Sequence, residues 1–384
     1  MNDTLVIDFG SSSIKVGYSG DDIPMSVVPS TEGKFGVGVD CIEASSSSSG
    51  NEFSNMNLSS SKSTHPMKRG IVTNWEQMEK LYGTVLKDVG NEKHMPSILV
   101  VESMRTTLQD RLKYAEMLFE TFHTPSISFA NAATMALFAS GRTTGLVAEC
   151  GAGSTSVVPI FEGLVISYGA TTIDFGGQDI TASIQNTLAD KGYKLDLNDV
   201  RIMKQSLGRI KSFEEAHSNT GNTGNNSNDE EMKYELPDGQ EVIYKKSMLT
   251  EAPEQLLFNK NFTPDGLVNQ IYDSLKLCDD TLRGNLASNI VISGGTSMLS
   301  GLGDRLQDEL TYKLTESNSS AMDINECNVI PSKAFSESGY TTQRKYASWI
   351  GASIFASLSN FQSLRIRRTE WEENADKVIQ CKSW

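Results

Sequence analysis

The stretch VAECGAGSTSVV, Val147–Val158, decides how this chain is read. An apolar run enters a glycine turn at Gly151-Ala152-Gly153, and a second apolar run leaves it. That alternation predicts strand, tight turn, strand. VIDFGSSSIKVG, Val6–Gly17, is built the same way. In each copy an acidic residue, Asp8 or Glu149, stands just before the turn and small hydroxyl residues follow it. The two acids lie 141 residues apart, so the device is an internal repeat. A chain that builds it twice is expected to have two similar lobes facing each other across a cleft, with a ligand touching both turns.

Such turns favour phosphate. Consecutive backbone N–H groups in a glycine or serine turn form an anion-binding concavity. Gly10, Ser11, Ser12 and Ser13 add hydroxyl donors, and Lys15 adds a positive charge. Gly151, Ala152 and Gly153 make the second turn. A third, Ser293-Gly294-Gly295-Thr296, precedes a helix and suits contact with a nucleotide. Asp8, at a buried strand end, suits the water shell of a Mg²⁺ that bridges phosphates.

Composition narrows the alternatives. The formal charge of −14 repels nucleic-acid backbones and anionic lipid, so direct nucleic-acid binding is not expected. Five cysteines without a C-x-x-C pair exclude a disulfide framework or a cysteine zinc site and suit a reducing compartment. The four histidines have no metal-ligand spacing. The chain enters a strand almost at once, so no signal peptide is expected, and no apolar run reaches the ~18 residues of a membrane span. The expected setting is intracellular and soluble, without membrane insertion.

Along the chain, strands alternate with helices. SILVVES (Ser97–Ser103) reads as a buried strand and DRLKYAEMLFETF (Asp110–Phe122) as an amphipathic helix. NAATMALFASG is a helix stopped at Gly141, and GLVAECG a strand. NIVISGGTSMLSGLGDRLQDEL reads as strand, turn, then helix from about Leu302, and KYASWIGASIFASLSNF as a helix with a small-residue face. The fold class is α/β, sheets covered by helices. The Ser-rich run 44–64 and the Asn/Gly/Ser-rich run 217–231 are expected as surface loops. RIRR, from Arg365, reads as a solvated mixed-charge helix end because Glu370, Glu372 and Glu373 follow it.

Longer motifs carry a family resemblance. RGIVTNWEQMEKL (Arg69–Leu81), MLFETFHTPSISFA, LFASGRTTGLV, VVPIFEG, KYELPDGQ, VISGGTSMLSGLGDRL and RKYASWIGASIFASLSNFQ resemble actin segments over nearly the whole chain. The chain is therefore similar to the actin family, within the superfamily of sugar kinases and Hsp70 ATPase domains. The resemblance implies an actin-like α/β fold of two lobes and four subdomains around ATP or ADP, with Mg²⁺. Subdomain 1 would comprise 1–29, 66–139 and 347–384, and subdomain 2 would comprise 30–65. Subdomain 3 would take 140–175 and 263–346, and subdomain 4 would take 176–262. Residue by residue, it implies nucleotide contacts from Gly10, Ser11, Ser12 and Lys15, and from Gly151, Ala152 and Gly153. Asp174, Gly176 and Gly177 match the strand end beside the nucleotide. Lys204 and Gln205 match a Lys-Glu pair near the adenosine, with Gln in place of Glu. Gly294, Gly295, Thr296 and Lys345 match the adenine side. Asp8 and Glu149 are the implied metal carboxylates, acting through water.

The resemblance also marks departures. The water-positioning glutamine of actin corresponds to Ala132. The first aspartate of the second loop is Glu149, which displaces the carboxylate by about 1.5 Å; a shift of that size costs about 10²-fold in rate. The second aspartate is Ala152, and the relaying histidine is Ser156. Three of four positions lose the group that hydrolysis requires, so ATPase activity is expected to be weak or absent. The Ser-rich run replaces an apolar longitudinal contact loop, Leu257–Gln270 shortens the hydrophobic plug, and Arg69 replaces a histidine. Long homopolymers are therefore not expected, whereas the surfaces Ile160–Tyr168 and Tyr346–Phe355 are better kept. The favoured reading is a cytoplasmic, cytoskeletal actin-related subunit of the dynactin type, partnered by other actin-family subunits. The alternatives are a nuclear actin-related subunit of a chromatin-remodelling complex and a divergent polymerising actin with active ATPase.

Overall fold

The structure is a computed structural model and describes residues 4–30, 65–89, 95–218, 230–236, 239–258, 266–316, 324 and 326–382. The Ser-rich run, most of the Asn/Gly/Ser-rich run and residues 259–265 of the plug segment lie outside the described residues. The chain divides into two compact units, Met1–Ala130 with Ala352–Trp384, and Asn131–Gly351.

The first unit is built on a strand-turn-strand device at its start. Thr4–Phe9 (β1) and Ser13–Tyr18 (β2) pair antiparallel, and Ser26–Pro29 (β3) extends them. A two-stranded ribbon, Met67–Lys68 (β4) and Ile71–Val72 (β5), follows. Ser97–Glu102 (β6) lies parallel to β1, beside Ser126–Asn131 (β7), giving the sheet order β16-β7-β6-β1-β2-β3 with Ile366–Arg367 as β16. Trp75–Val89 (α1) and Leu108–Glu116 (α2) contribute to the core through Met78, Leu81, Tyr82, Tyr114 and Ala115, which bury against Leu5, Ile7, Ile98 and Val100. The helix expected from Asp110 starts two residues earlier. Thr107 caps it, its hydroxyl accepting from the Asp110 amide at 3.2 Å while its own amide donates to the Asp110 carboxylate at 2.9 Å. A π-helical turn, Met117–Thr121, continues it and buries Leu118 and Phe119.

The second unit repeats the device. Gly145–Cys150 (β8) pairs antiparallel with Thr155–Phe161 (β9), and Ile290–Ser293 (β14) lies parallel to β8 as β6 does to β1. Leu164–Val165 (β10), Thr171–Ile173 (β11) and Val329–Ile330 (β15) complete this sheet, and Glu231–Glu235 (β12) with Glu241–Lys245 (β13) form a separate hairpin. The register Phe9↔Ile14 in one unit and Cys150↔Thr155 in the other closes a four-residue loop in each. In both, the first loop glycine donates its N–H to the carbonyl three residues on, Gly10 to Ser13 and Gly151 to Ser154, each at 3.0 Å. The repeat read from the sequence is thus a repeat of backbone geometry.

Helices surround the second sheet. Ala132–Ala139 (α3) starts at Asn131, whose side chain accepts from the Ala133 and Thr134 amides, and stops before Gly141 at φ +73°. Gly177–Asp190 (α4), Leu197–Leu207 (α5), Met248–Glu254 (α7), Gly266–Leu277 (α8) and Leu302–Glu316 (α10) bury Ile180, Ile184, Met203, Leu249, Ile271 and Leu306 in one cluster with Leu146, Ala148 and Val157. The shorter Phe213–His217 (α6), Asp280–Ala287 (α9) and Ser338–Gln343 (α11) join them. The expected small-faced helix is Ala347–Ser357 (α12), flanked by 3₁₀ turns at Arg344–Tyr346 and Ser359–Leu364. Its smallness has a steric cause: a Cβ on Gly351 would run into the Met135 carbonyl of α3. Arg368–Lys382 (α13), kinked at Asn374, is the last described helix, and its Trp371 stacks on Phe119 at 5.6 Å and donates to Glu120 at 3.2 Å.

Candidate functional site: two anchored glycine loops

In the first unit the loop is held from behind by Ser30, a buried residue that sequence reasoning did not single out. The Ser30 hydroxyl donates to the Gly10 carbonyl at 2.5 Å, and its amide donates to the Ser12 carbonyl at 3.0 Å. A trans peptide points its N–H opposite to its C=O. Fixing these carbonyls therefore turns the amides of Ser11 and Ser13 away from Ser30. The Ser11 hydroxyl accepts from the Gly70 amide at 3.2 Å, and Ser12 is half-buried. Gly10 is required here, since a Cβ would sit 2.9 Å from the Ser13 carbonyl and 3.1 Å from the Lys15 ammonium. Lys15 lies directly across the ladder from Asp8, and their side chains form an ion pair at 3.0 Å, both largely shielded from solvent. The carboxylate expected near a metal is thus engaged by the lysine expected near a phosphate.

In the second unit the anchors are different but the outcome is the same. The Gly151 carbonyl accepts from the Gly177 amide at 3.0 Å and from the Thr296 hydroxyl at 2.7 Å, and the Ala152 carbonyl accepts from the Gln178 amide at 2.8 Å. The amides of Ala152 and Gly153 consequently face away from α4, two successive donors as an anion nest needs. Gly176 and Gly177 permit this approach. A Cβ on Gly176 would lie 2.6 Å from the Ala152 carbonyl, and one on Gly177 2.5 Å from the Thr296 hydroxyl. The Gly176 amide is tied to Asp179 at 2.8 Å, a residue that carried no sequence signal. Gly294, at φ +86°, packs against the Cys150 carbonyl with no room for a Cβ, whereas a Cβ on Gly295 would meet open space.

Lys204, on α5, is brought to this loop. It is buried, and its ammonium donates to the Gly177 carbonyl at 2.6 Å. Burial, reinforced by the charge of Arg201, pulls its pKa down to about 8. Its sequence neighbour Gln205 is exposed. Lys345 lies in the turn whose Arg344 carbonyl accepts from the Gly294 amide at 3.2 Å, and its ammonium sits 4.8 Å from the Tyr346 ring. Asp174 is exposed just ahead of Gly176.

Four positions depart from the family pattern, and at three of them, Ala132, Ala152 and Ser156, the expected group is lost. Ala132 is the first residue of α3 and is buried. Glu149 stands opposite Ser156 in the β8–β9 ladder, the position that Asp8 and Lys15 occupy in the other unit. Ser156 is buried, and its hydroxyl is bonded to Thr172 at 2.9 Å. Ala152 has only a methyl group where a carboxylate would be needed. Among the described residues no three His, Cys, Asp or Glu side chains converge to hold a metal ion, and no helix is long and apolar enough to cross a membrane.

Two mixed-sheet units, each with an acid and an anchored glycine loop at the end of a strand, define the class of actin-fold α/β proteins. A sequence model of that family, described as Actin, matches residues 1–384. The chain belongs to the actin family, a fold that in general binds a nucleotide with a divalent metal. Among curated proteins it is 31% identical to an "Actin-like protein" of Neurospora crassa over 396 residues, covering 98% of this chain and 97% of that protein.

Proposed function

We propose that this chain is a structural actin-related subunit that binds ATP or ADP and hydrolyses it weakly or not at all. The observation that carries this is the second loop. Its backbone cradle is kept in full, held by Gly177, Gln178 and Thr296, while Ala152 and Ala132 offer no group to a water and Ser156 is bonded to Thr172. Loss of function-bearing side chains inside a kept cradle favours a ligand used for stability. A nucleotide bound only to the folded state stabilises it by mass action without chemistry. Ser11, Ser12, Lys15 and the amides of Ala152 and Gly153 would hold its phosphates, and Lys204, Gln205, Gly294, Gly295, Thr296 and Lys345 its nucleoside. A divalent ion, if bound, would supply charge neutralisation between phosphates, with Asp8 and Glu149 ordering its waters.

The finer reading is a cytoskeletal subunit of the dynactin type, in or at the end of a short filament of actin-related proteins. What supports it is the loss of longitudinal contact features together with exposed apolar residues at Leu164 and Tyr168, in a surface better kept than the rest. The test is affinity purification of the tagged full chain from its own cells. Recovery of dynein-activator subunits is expected, and recovery of chromatin-remodelling subunits instead would overturn this assignment.

A further inference from the structure

Asp8 and Lys15 stand on either side of the first glycine loop, and they are bound to each other. They are direct partners in the antiparallel β1–β2 ladder, and Lys15 Nζ lies 3.0 Å from Asp8 Oδ2. Register fixes this meeting, since opposed side chains leave such a ladder about 5 Å apart on the same face. Only 14% of the Lys15 side chain and 13% of the Asp8 side chain are exposed, so salt screens the pair less than it would a surface pair. The ammonium also lies against the loop, 3.1 Å from where a Cβ on Gly10 would stand.

The loop's backbone is set for phosphate without help from a ligand, because Ser30 holds the Gly10 and Ser12 carbonyls. Its charge is not set in the same way. An ammonium has three donors, so Lys15 can keep Asp8 and still donate to a phosphate. What the pair lacks is net charge. The carboxylate offsets the attraction of the ammonium, and a phosphate brought to the loop meets a second anion beside it. Asp8 suits the water shell of a divalent cation. With its charge taken up there, the charge of Lys15 is left to the phosphate. The second unit has no counterpart of this pair, since the ladder partner of Glu149 is Ser156, whose hydroxyl is bonded to Thr172.

We propose that the Asp8–Lys15 pair is a charge latch that lets the first loop hold nucleotide phosphates tightly only together with a divalent cation. The latch rests on the nucleotide-binding reading and adds its regulation: Asp8 opposes the nucleotide when the cation is absent and supports it when the cation is present.

The test is calorimetric titration of the full chain with ADP, once in Mg²⁺ and once in EDTA. The natural sequence is expected to bind far more tightly in Mg²⁺. Asp8→Asn removes the opposing charge, so metal-free binding is expected to tighten about tenfold and the gain from Mg²⁺ to shrink by about tenfold or more. A carboxylate that served the metal alone would leave metal-free binding as it was. That result, or weaker metal-free binding in Asp8→Asn, overturns the latch and leaves the nucleotide-binding reading standing. No ADP binding by the natural chain even in Mg²⁺ overturns that reading and the latch with it. If Asp8→Asn does not fold, the Cε–H resonances of Lys15 in the natural chain decide. They are expected to move when ADP and Mg²⁺ are added together and to stay in place with ADP in EDTA, and an equal movement in EDTA overturns the latch.

Discussion

At the scale of single residues, two buried charges behave in opposite ways. Glu102 is nearly inaccessible, and burial pushes its carboxyl pKa up against the opposing pull of Arg111, which grips it through Nε at 3.0 and 2.9 Å and through Nη2. Removing the guanidinium leaves a buried charge uncompensated. Arg111→Met is expected to cost about 3–5 kcal/mol in denaturant unfolding, and adding Glu102→Gln is expected to recover much of that loss. Lys204 is the second case. Its folded pKa of about 8 lies below the ordinary lysine value. Between the two values the unfolded chain binds more protons, so stability rises with pH across that window and the cost of charging Lys204 is complete below it. An anionic ligand beside this ammonium favours the charged form. Nucleotide binding at pH 8.5 is therefore expected to take up about half a proton or more, read by calorimetry in two buffers of different ionisation enthalpy. Lys204→Met abolishes the uptake, and binding heats independent of buffer would contradict the coupling.

At the scale of elements, the glycine loops were legible because each requires glycine locally and each follows a short apolar strand. Their anchors were not. Ser30 meets the first loop from 20 residues away, and Thr296 meets the second from 145 residues away. Nothing in the composition around Ser30 distinguishes it from any other serine. Thr296 was legible as part of the third glycine turn, but not as an anchor of the second loop. The π-turn after α2 escaped because its residues fit helical periodicity equally well. Arg365 was misplaced because runs of mixed charge normally lie in solvent, and its hydroxyl partners, Thr4 and Ser97, come from two other strands. The small face of α12, by contrast, was readable, and the structure supplies its reason. Gly351→Ala drives a methyl group into the Met135 carbonyl and forces α12 away from α3. A loss of about 1–3 kcal/mol is expected in thermal or denaturant unfolding, whereas Gly284→Ala, where a Cβ meets open space on α9, is expected to be neutral or stabilising.

At the scale of the whole molecule, duplication explains the pairing of Asp8 with Glu149 and of one anchored loop with another. It also shows what has diverged. One copy sets its acid opposite Lys15, and the other opposite a serine that is tied to Thr172. The account holds that this actin-family chain keeps its phosphate cradle and has lost the groups that would act on a bound water. The measurement that tests this most directly is single-turnover phosphate release from purified protein loaded with ATP. The account predicts one nucleotide bound per chain and phosphate release far slower than that of a conventional actin measured alongside. Release at the rate of conventional actin would contradict it.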